Sequence, residues 1–220
     1  MADHALLERI QRERGYTLSY HIVYGHLEPT VLEKWGDLYR TLNLVPRRLT
    51  NREREIIWIA LLTAQRQRVG SLHLDRAVAA GVPPEEMRAA VALAAAGDGW
   101  TALAFGAEHW AAWLQSSPEE QYQRLVDTVR GTIEPRLADL ALLTVQAIHQ
   151  RAGAFTYHLR RLHDAGAAEV EIAEALSYLL PTAGAPTLLW ATDRWFDALR
   201  AGVLPPSPTF GVANFETLRA

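Results

Sequence analysis

Cysteine is absent from the sequence. That excludes disulfides, thiolate nucleophiles, CxxC redox chemistry and zinc sites built on sulfur. Basic excess is missing too: 22 Lys and Arg stand against 25 Asp and Glu, a formal net charge of −3. Such a balance carries no electrostatic footprint for nucleic acid. No apolar run approaches the length of a membrane span, and the opening MADHALLERIQRERG is charged and amphipathic rather than signal-like. These absences set the expectation of a cytoplasmic protein with no nucleic-acid or membrane partner. Alternating strand patterns are essentially missing as well, which leaves an all-α chain. What remains is ordinary globular material, 49% apolar and 21% charged, long enough for one large domain or two small ones.

The helices announce their own ends. In LTNREREIIWIALLTAQRQ, Thr50 and Glu53 form a capping box, and Ile56, Ile57, Ile59, Ala60 and Thr63 follow the spacing of a buried face. The next helix begins near Gly70, carries His73 and Ala77, and stops at Gly81. VPPEEMRAAVALAAAGDGW starts another with proline and two acids in its first turn, where the helix dipole is positive. TALAFGAEHWAAWLQ then supplies one more before SSP breaks the chain.

This order occurs twice. GSLHLDRAVAAGVPPEEM from Gly70 returns as FTYHLRRLHDAGAAEVEI from Phe155. His73 falls on His158, Arg76 on Arg161, Gly81 on Gly166 and Glu86 on Glu171, each 85 positions apart. Gly99 and Gly184, Glu108 and Asp193, and Trp110 and Trp195 keep the same offset. The expected organisation is an N-terminal arm (1–28), a first helical repeat (29–116), a second (117–202) and an extended C-terminal tail (203–220). A unit this small buries its faces poorly alone, so the two repeats should pack on each other.

The acid-headed helix REREIIWIALL, a histidine on the next helix and then AxxAGVPPEEM resemble the carboxymuconolactone decarboxylase family, whose wider relatives include alkylhydroperoxidase D. The likeness covers roughly 49–114 and 135–199. It implies an all-α tandem of alkylhydroperoxidase D-like units and a homo-oligomer. Its peroxidase branch places a CxxC just before the histidine; here that stretch reads QRQRVGSL or HQRAGAFTY, without a thiol. The decarboxylase branch needs neither cysteine nor cofactor. What the resemblance carries over is an acid–histidine pair, Glu55 with His73 and Asp139 with His158. The acid lies 18 residues before the histidine in one copy and 19 in the other, and shared ALLT text at an offset of 81 offers a competing register.

The implied function is a cofactor-independent, decarboxylase-like or isomerase-like lyase acting on a small unsaturated or aromatic-derived acid or lactone. A neighbouring carboxylate is expected to raise the pKa of the histidine and make it a proton donor. Arg47, Arg48 and Arg52, with Arg54, crowd a helix start and are candidates for the substrate's carboxylate or for a solvated face. Tyr16, Tyr20 and Tyr24, four apart with His21 and His26 beside them, would line one stripe of a helix and roof a pocket, or form the underside of an arm. Tyr157 next to His158 is a further possible donor. Glu86 and Glu171 are expected to cap helices, and Trp110 and Trp195 to be core. Two other readings stay open: a metalloenzyme using His21 and His26 with His73 or His158, or His149 and His163 beside His158, and a non-catalytic ligand-binding scaffold.

Overall fold

The computed structural model describes residues 4–210. Among them every regular element is helical. The chain divides into two compact units, Met1–Pro46 and Arg47–Ala220. The division puts the segment from Pro29 with the N-terminal helices, whereas the sequence duplication counts Pro29 as the start of its first copy.

The smaller unit holds α1 (His4–Arg14), α2 (Ser19–Leu27) and α3 (Pro29–Asn43). Leu6, Ile10 and Leu32 form its apolar core, with Leu7 and Tyr20 packed against them. Arg14 is buried here; it donates to the Tyr20 hydroxyl at 3.0 Å and lies 3.9 Å over the Tyr39 ring. Most of what reads as an arm is thus helix. The three-tyrosine stripe does not form, because α1 ends at Gly15, whose φ of 79° stops a right-handed helix, and Tyr16 falls in the turn.

The larger unit begins with α4 (Asn51–Ala64), capped by Thr50 as expected: the hydroxyl accepts from the Glu53 N–H, and Glu53 accepts from the Thr50 N–H at 2.9 Å. A 3₁₀ turn (Arg68–Gly70) leads to α5 (Ser71–Ala79), α6 (Pro84–Leu114) and α7 (Pro118–Val129). The second copy, which opens with α7, continues through α8 (Pro135–Ile148), α9 (Ala152–Asp164), α10 (Glu169–Ser177), α11 (Leu179–Ala183) and α12 (Ala185–Arg200). α4 and α8, the acid-bearing helices of the two copies, lie against each other. Both are buried nearly all round, from Arg54 to Leu62 and from Leu137 to Ala147. A helix with no solvated stripe is a core helix. α5 and α6 cover α4, while α9, α10 and α12 cover α8.

Two local signals govern where the copies agree and where they part. Gly81 and Gly166 both have positive φ, 77° and 71°, and close α5 and α9 in the same way. Val82 N–H reaches back to Ala77 and Ala167 N–H to Leu162, each at 2.9 Å, the pattern of a Schellman stop. At the next glycine pair the copies differ. α6 runs unbroken through Gly99 for 31 residues, so the two helices expected there are one, with a kink at Trp110. Gly184 instead adopts φ 80° and separates α11 from α12. Pro186 follows it, where the first copy has Thr101, and a proline both lacks an N–H and crowds the preceding turn.

α6 has the length and mean hydropathy, 1.3, of a spanning helix, longer and more apolar than the sequence patterning suggests. It packs against α4, α7 and α8, and Ala90, Leu93, Ala94, Ala96 and Gly97 are buried. A Cβ on Gly97 would stand 2.8 Å from a Val145 methyl, so the contact with α8 depends on glycine there. Trp195 is core, but Trp110, its repeat partner, is 52% exposed, because it sits beyond the stretch of α6 that other helices cover. After α12 the chain loses helical form; Leu204 and Ser207 are buried and Phe210 packs on Trp195 and Phe196. The rest of the expected tail, 211–220, lies outside the described residues.

Candidate active site

Each copy places its acid on the buried helix and its histidine on the next one. Nδ1 of His73 is 2.7 Å from a Glu55 oxygen; Nδ1 of His158 is 2.8 Å from Asp139. The matching geometry settles the register: Glu55 corresponds to Asp139, not to the alignment suggested by the shared ALLT text. A parallel pair of contacts supports it. Arg52 of α4 pairs with Glu86, and Arg136 of α8 pairs with Glu171. Glu171 also caps α10 as expected, accepting the Ala168 N–H at 3.2 Å. Glu86 does not cap: its carboxylate turns to Arg52 and to the Thr132 hydroxyl.

The two histidines differ in what meets their other nitrogen. In the second copy, Nε2 of His158 lies 3.0 Å from the Tyr122 hydroxyl, which also accepts from Gln146 at 3.1 Å. Burial pushes the Tyr122 phenol up, so it stays protonated and donates to Nε2. Asp139 is held in turn by Nε of Arg161 at 3.0 and 3.1 Å. Every polar atom of the imidazole is paired and His158 is wholly buried. Tyr157, the expected donor beside it, gives its hydroxyl hydrogen to Gln123 at 2.7 Å. Adjacent residues on a helix point about 100° apart, so chain proximity did not bring it to the ring nitrogen.

In the first copy Glu55 divides its oxygens between His73 and Nε of Arg54, the latter at 3.0 Å. All three are buried, and the carboxylate's charge is compensated inside the fold. A neutral His73 donates Nδ1–H to Glu55, a tautomer assigned from this network, and keeps a lone pair on Nε2. Among the described residues no group hydrogen-bonds that nitrogen. Trp58, one turn after Glu55, stacks on the imidazole with centroids 4.3 Å apart and planes 16° from parallel.

Burial lowers the pKa of His73; the hydrogen bond and charge of Glu55 oppose that shift without overcoming it, and Arg76 and Arg54 add to it. The expectation of a raised pKa is therefore reversed. His158 is lowered for the same first reason, desolvation, again against the pull of its carboxylate.

Behind Trp58 the ring of Tyr178 lies at 5.5 Å and donates its hydroxyl to Glu174 at 2.9 Å. Glu174 belongs to the second copy yet holds the entry to the first. It accepts the backbone N–H groups of Arg48 at 2.7 Å and Leu49 at 3.2 Å, with Nε of Arg47 at 3.6 Å. Trp58, Tyr178 and Glu174 were not among the sequence candidates. For Glu174 a signal existed: a lone carboxylate inside the apolar IAEALSYLL, four residues before a tyrosine.

The expected substrate-binding arginines separate. Arg47 and Arg48 line an open cavity of about 400 Å³ with Val170, Ala173 and Glu174, none of which belongs to either acid–histidine pair. Arg47 also donates to Ser177 at 3.0 Å. Arg52 is taken up by Glu86. Tyr20, Tyr24 and His21 belong to the smaller unit. Tyr20 accepts from Arg14 and from Trp35, Tyr24 is exposed, and His21 is fully buried with Nδ1 accepting the Leu18 N–H at 2.9 Å. Burial, then Arg14, lowers the His21 pKa to about 4. His149 pairs with Asp98 at 3.2 Å, and His163 is close to Asp164. No set of three or more His, Asp or Glu among the described residues is gathered as metal ligands.

No curated protein and no solved structure matches the chain. A family model does, twice, over residues 29–113 and 119–198. These segments fall on the two copies and together span well over half of the sequence. With a paired carboxylate and histidine recurring in each copy of an all-helical tandem, the chain belongs to the carboxymuconolactone decarboxylase family.

Proposed function

We propose that this protein is a cofactor-independent acid–base enzyme in which His73, held by Glu55, moves a proton on a small unsaturated carboxylic acid or lactone. The observation that carries the reading is the open Nε2 of His73 opposite the fully paired Nε2 of His158. A base whose far nitrogen is fixed by a carboxylate is oriented for proton transfer, and the carboxylate stabilises the imidazolium that forms. The second copy then serves as scaffold. Its imidazole has no valence to spare.

The lowered pKa of His73 favours the isomerase-like branch of this reading. A neutral imidazole takes a proton first and returns it later. From a carbon beside a carbonyl, the proton passes to Nε2 and the C–H electron pair moves into an enolate. The imidazolium, whose Nε2 proton exchanges with solvent, then delivers a proton to the conjugated carbon, and nothing is lost from the molecule. Decarboxylation needs a proton donor for the dienolate that the departing CO₂ leaves behind, and burial holds His73 in the neutral form that lacks that proton. The metalloenzyme alternative draws no comparable support from the disposition of the histidines. A homo-oligomer in the cytoplasm acting on a small molecule belongs to the same proposal.

The test is proton NMR in D₂O with carboxymuconolactone and its decarboxylated counterpart as probes. Deuterium entering a ring carbon without loss of carboxylate, and absent in His73→Asn, is the expected result. Loss of CO₂ moves the reading to the decarboxylase branch. No exchange and no CO₂ with either probe leaves the ligand-binding scaffold as the better description.

A further inference from the structure

Trp58 does more than pack. Its side chain is buried, with 2% of the residue exposed, and its indole N–H meets no hydrogen-bond acceptor. A buried donor without a partner costs free energy, and a phenylalanine would fill a stacking position without that cost. The indole also lies nearly parallel to His73 at 4.3 Å. The two stacked rings carry an unsatisfied donor on one and an unoccupied lone pair on the other. The two oxygens of Glu55 go to His73 and Arg54, and the Tyr178 hydroxyl turns to Glu174, so neither acceptor answers the indole.

We infer that Trp58 is a ligand-binding residue whose indole N–H donates to a carbonyl or carboxylate oxygen of the molecule that His73 acts on. The inference rests on the proposed role of His73 and adds the chemical class of the group beside it. As Nε2 removes the proton from carbon, the electron pair shifts toward that oxygen, and the N–H bond to it strengthens as negative charge develops. Return of the proton restores the neutral carbonyl. No other reactant is needed.

The experiment uses the intact chain labelled with ¹⁵N and maleate, an unreactive unsaturated dicarboxylate, as the probe. Trp58→Phe assigns the indole resonance by its disappearance, and Phe keeps an aromatic face against His73. A saturable downfield shift of the Trp58 indole proton is expected, with the same Kd as the change in the His73 ring nitrogens. Trp58→Phe should weaken maleate binding about ten- to a hundred-fold, the usual range for losing a hydrogen bond to a charged group. Should that variant not fold, nuclear Overhauser contacts between the stacked Trp58 and His73 rings assign the resonance, and the wild-type titration decides. A Trp58 resonance that stays put while His73 responds overturns this inference and leaves the His73 reading standing, as does equal affinity in Trp58→Phe. Maleate moving neither ring overturns both.

Discussion

The hydroxyl of Tyr122 stands 3.0 Å from Nε2 of His158 and closes it. That single contact separates two acid–histidine pairs that are otherwise copies. It makes the consequences of removing each histidine different in kind. His73→Asn should lower turnover by about a hundred-fold or more, the scale of a general base, and also cost stability through the lost bond to Glu55 and the lost stack on Trp58. His158→Asn should keep turnover and lose about 1–3 kcal/mol of stability, since it leaves Tyr122 and Asp139 short of a buried partner. Turnover and urea denaturation of the two variants, measured side by side, check this.

Tyr122→Phe isolates the closing contact. The ring stays, and with it the edge-on packing against Trp100 at 5.1 Å. What goes is the hydroxyl that serves both Gln146 and His158. A loss of about 1–3 kcal/mol in chemical denaturation is expected. Activity should not rise, because a phenylalanine still covers the second imidazole.

Much of this was legible in the chain. The capping box of Thr50 and Glu53 and the glycine stops at Gly81 and Gly166 follow from local rules, and the pairing of each histidine with its acid follows from the resemblance to the family. The one-residue slip between the copies falls in the loop after the acid helix and leaves the pairing intact. The groups that tell the copies apart were not legible. Tyr122 arrives from α7 and Glu174 from α10, far along the chain from the residues they bond. Repeat symmetry also misleads where surroundings differ: Trp195 is covered and Trp110 is not. The pKa of His73 was misjudged for a physical reason. The acid partner was visible in the sequence, but the desolvation that outweighs it belongs to the fold.

Glu174→Gln tests the tie from the second copy to the 47–49 segment. The carboxylate gathers two backbone N–H groups, the Tyr178 hydroxyl and the Arg47 guanidinium. An amide of equal size offers one acceptor oxygen and turns a donor toward donors. Thermal or urea denaturation should show a loss of about 1.5–3 kcal/mol. Glu174→Asp, which keeps the charge but shortens the reach, should lose part of it.

Glycine at the two helix stops is needed for conformation rather than space. A Cβ on Gly81 or Gly166 would meet nothing within 4 Å, yet both have positive φ. Alanine at either position should therefore destabilise by about 1–2 kcal/mol, and by similar amounts, through backbone strain alone. Gly97→Ala should cost more than either, because its Cβ would press into Val145.

The pH dependence of stability follows from the direction of the histidine shifts. His73, His158 and His21 all have pKa values lowered in the fold, chiefly by burial, from an ordinary value of 6.5. Below 6.5 the unfolded chain binds protons that the folded chain refuses, so unfolding becomes easier as the pH falls. Their contribution is fully present above pH 6.5 and is lost progressively in acid, for His21 down to about pH 4. Had the carboxylate partners won, the slope would carry the opposite sign and lie above pH 6.5, with stability gained on acidification until the unfolded histidines also protonate. Urea denaturation from pH 8 to 5 distinguishes the two outcomes, and His158→Asn should flatten the slope. The same direction governs catalysis. A base that stays neutral below pH 6.5 should hold the acid limb of kcat/KM under that value, and an acid limb above it would mean that Glu55, not burial, sets the proton affinity of His73.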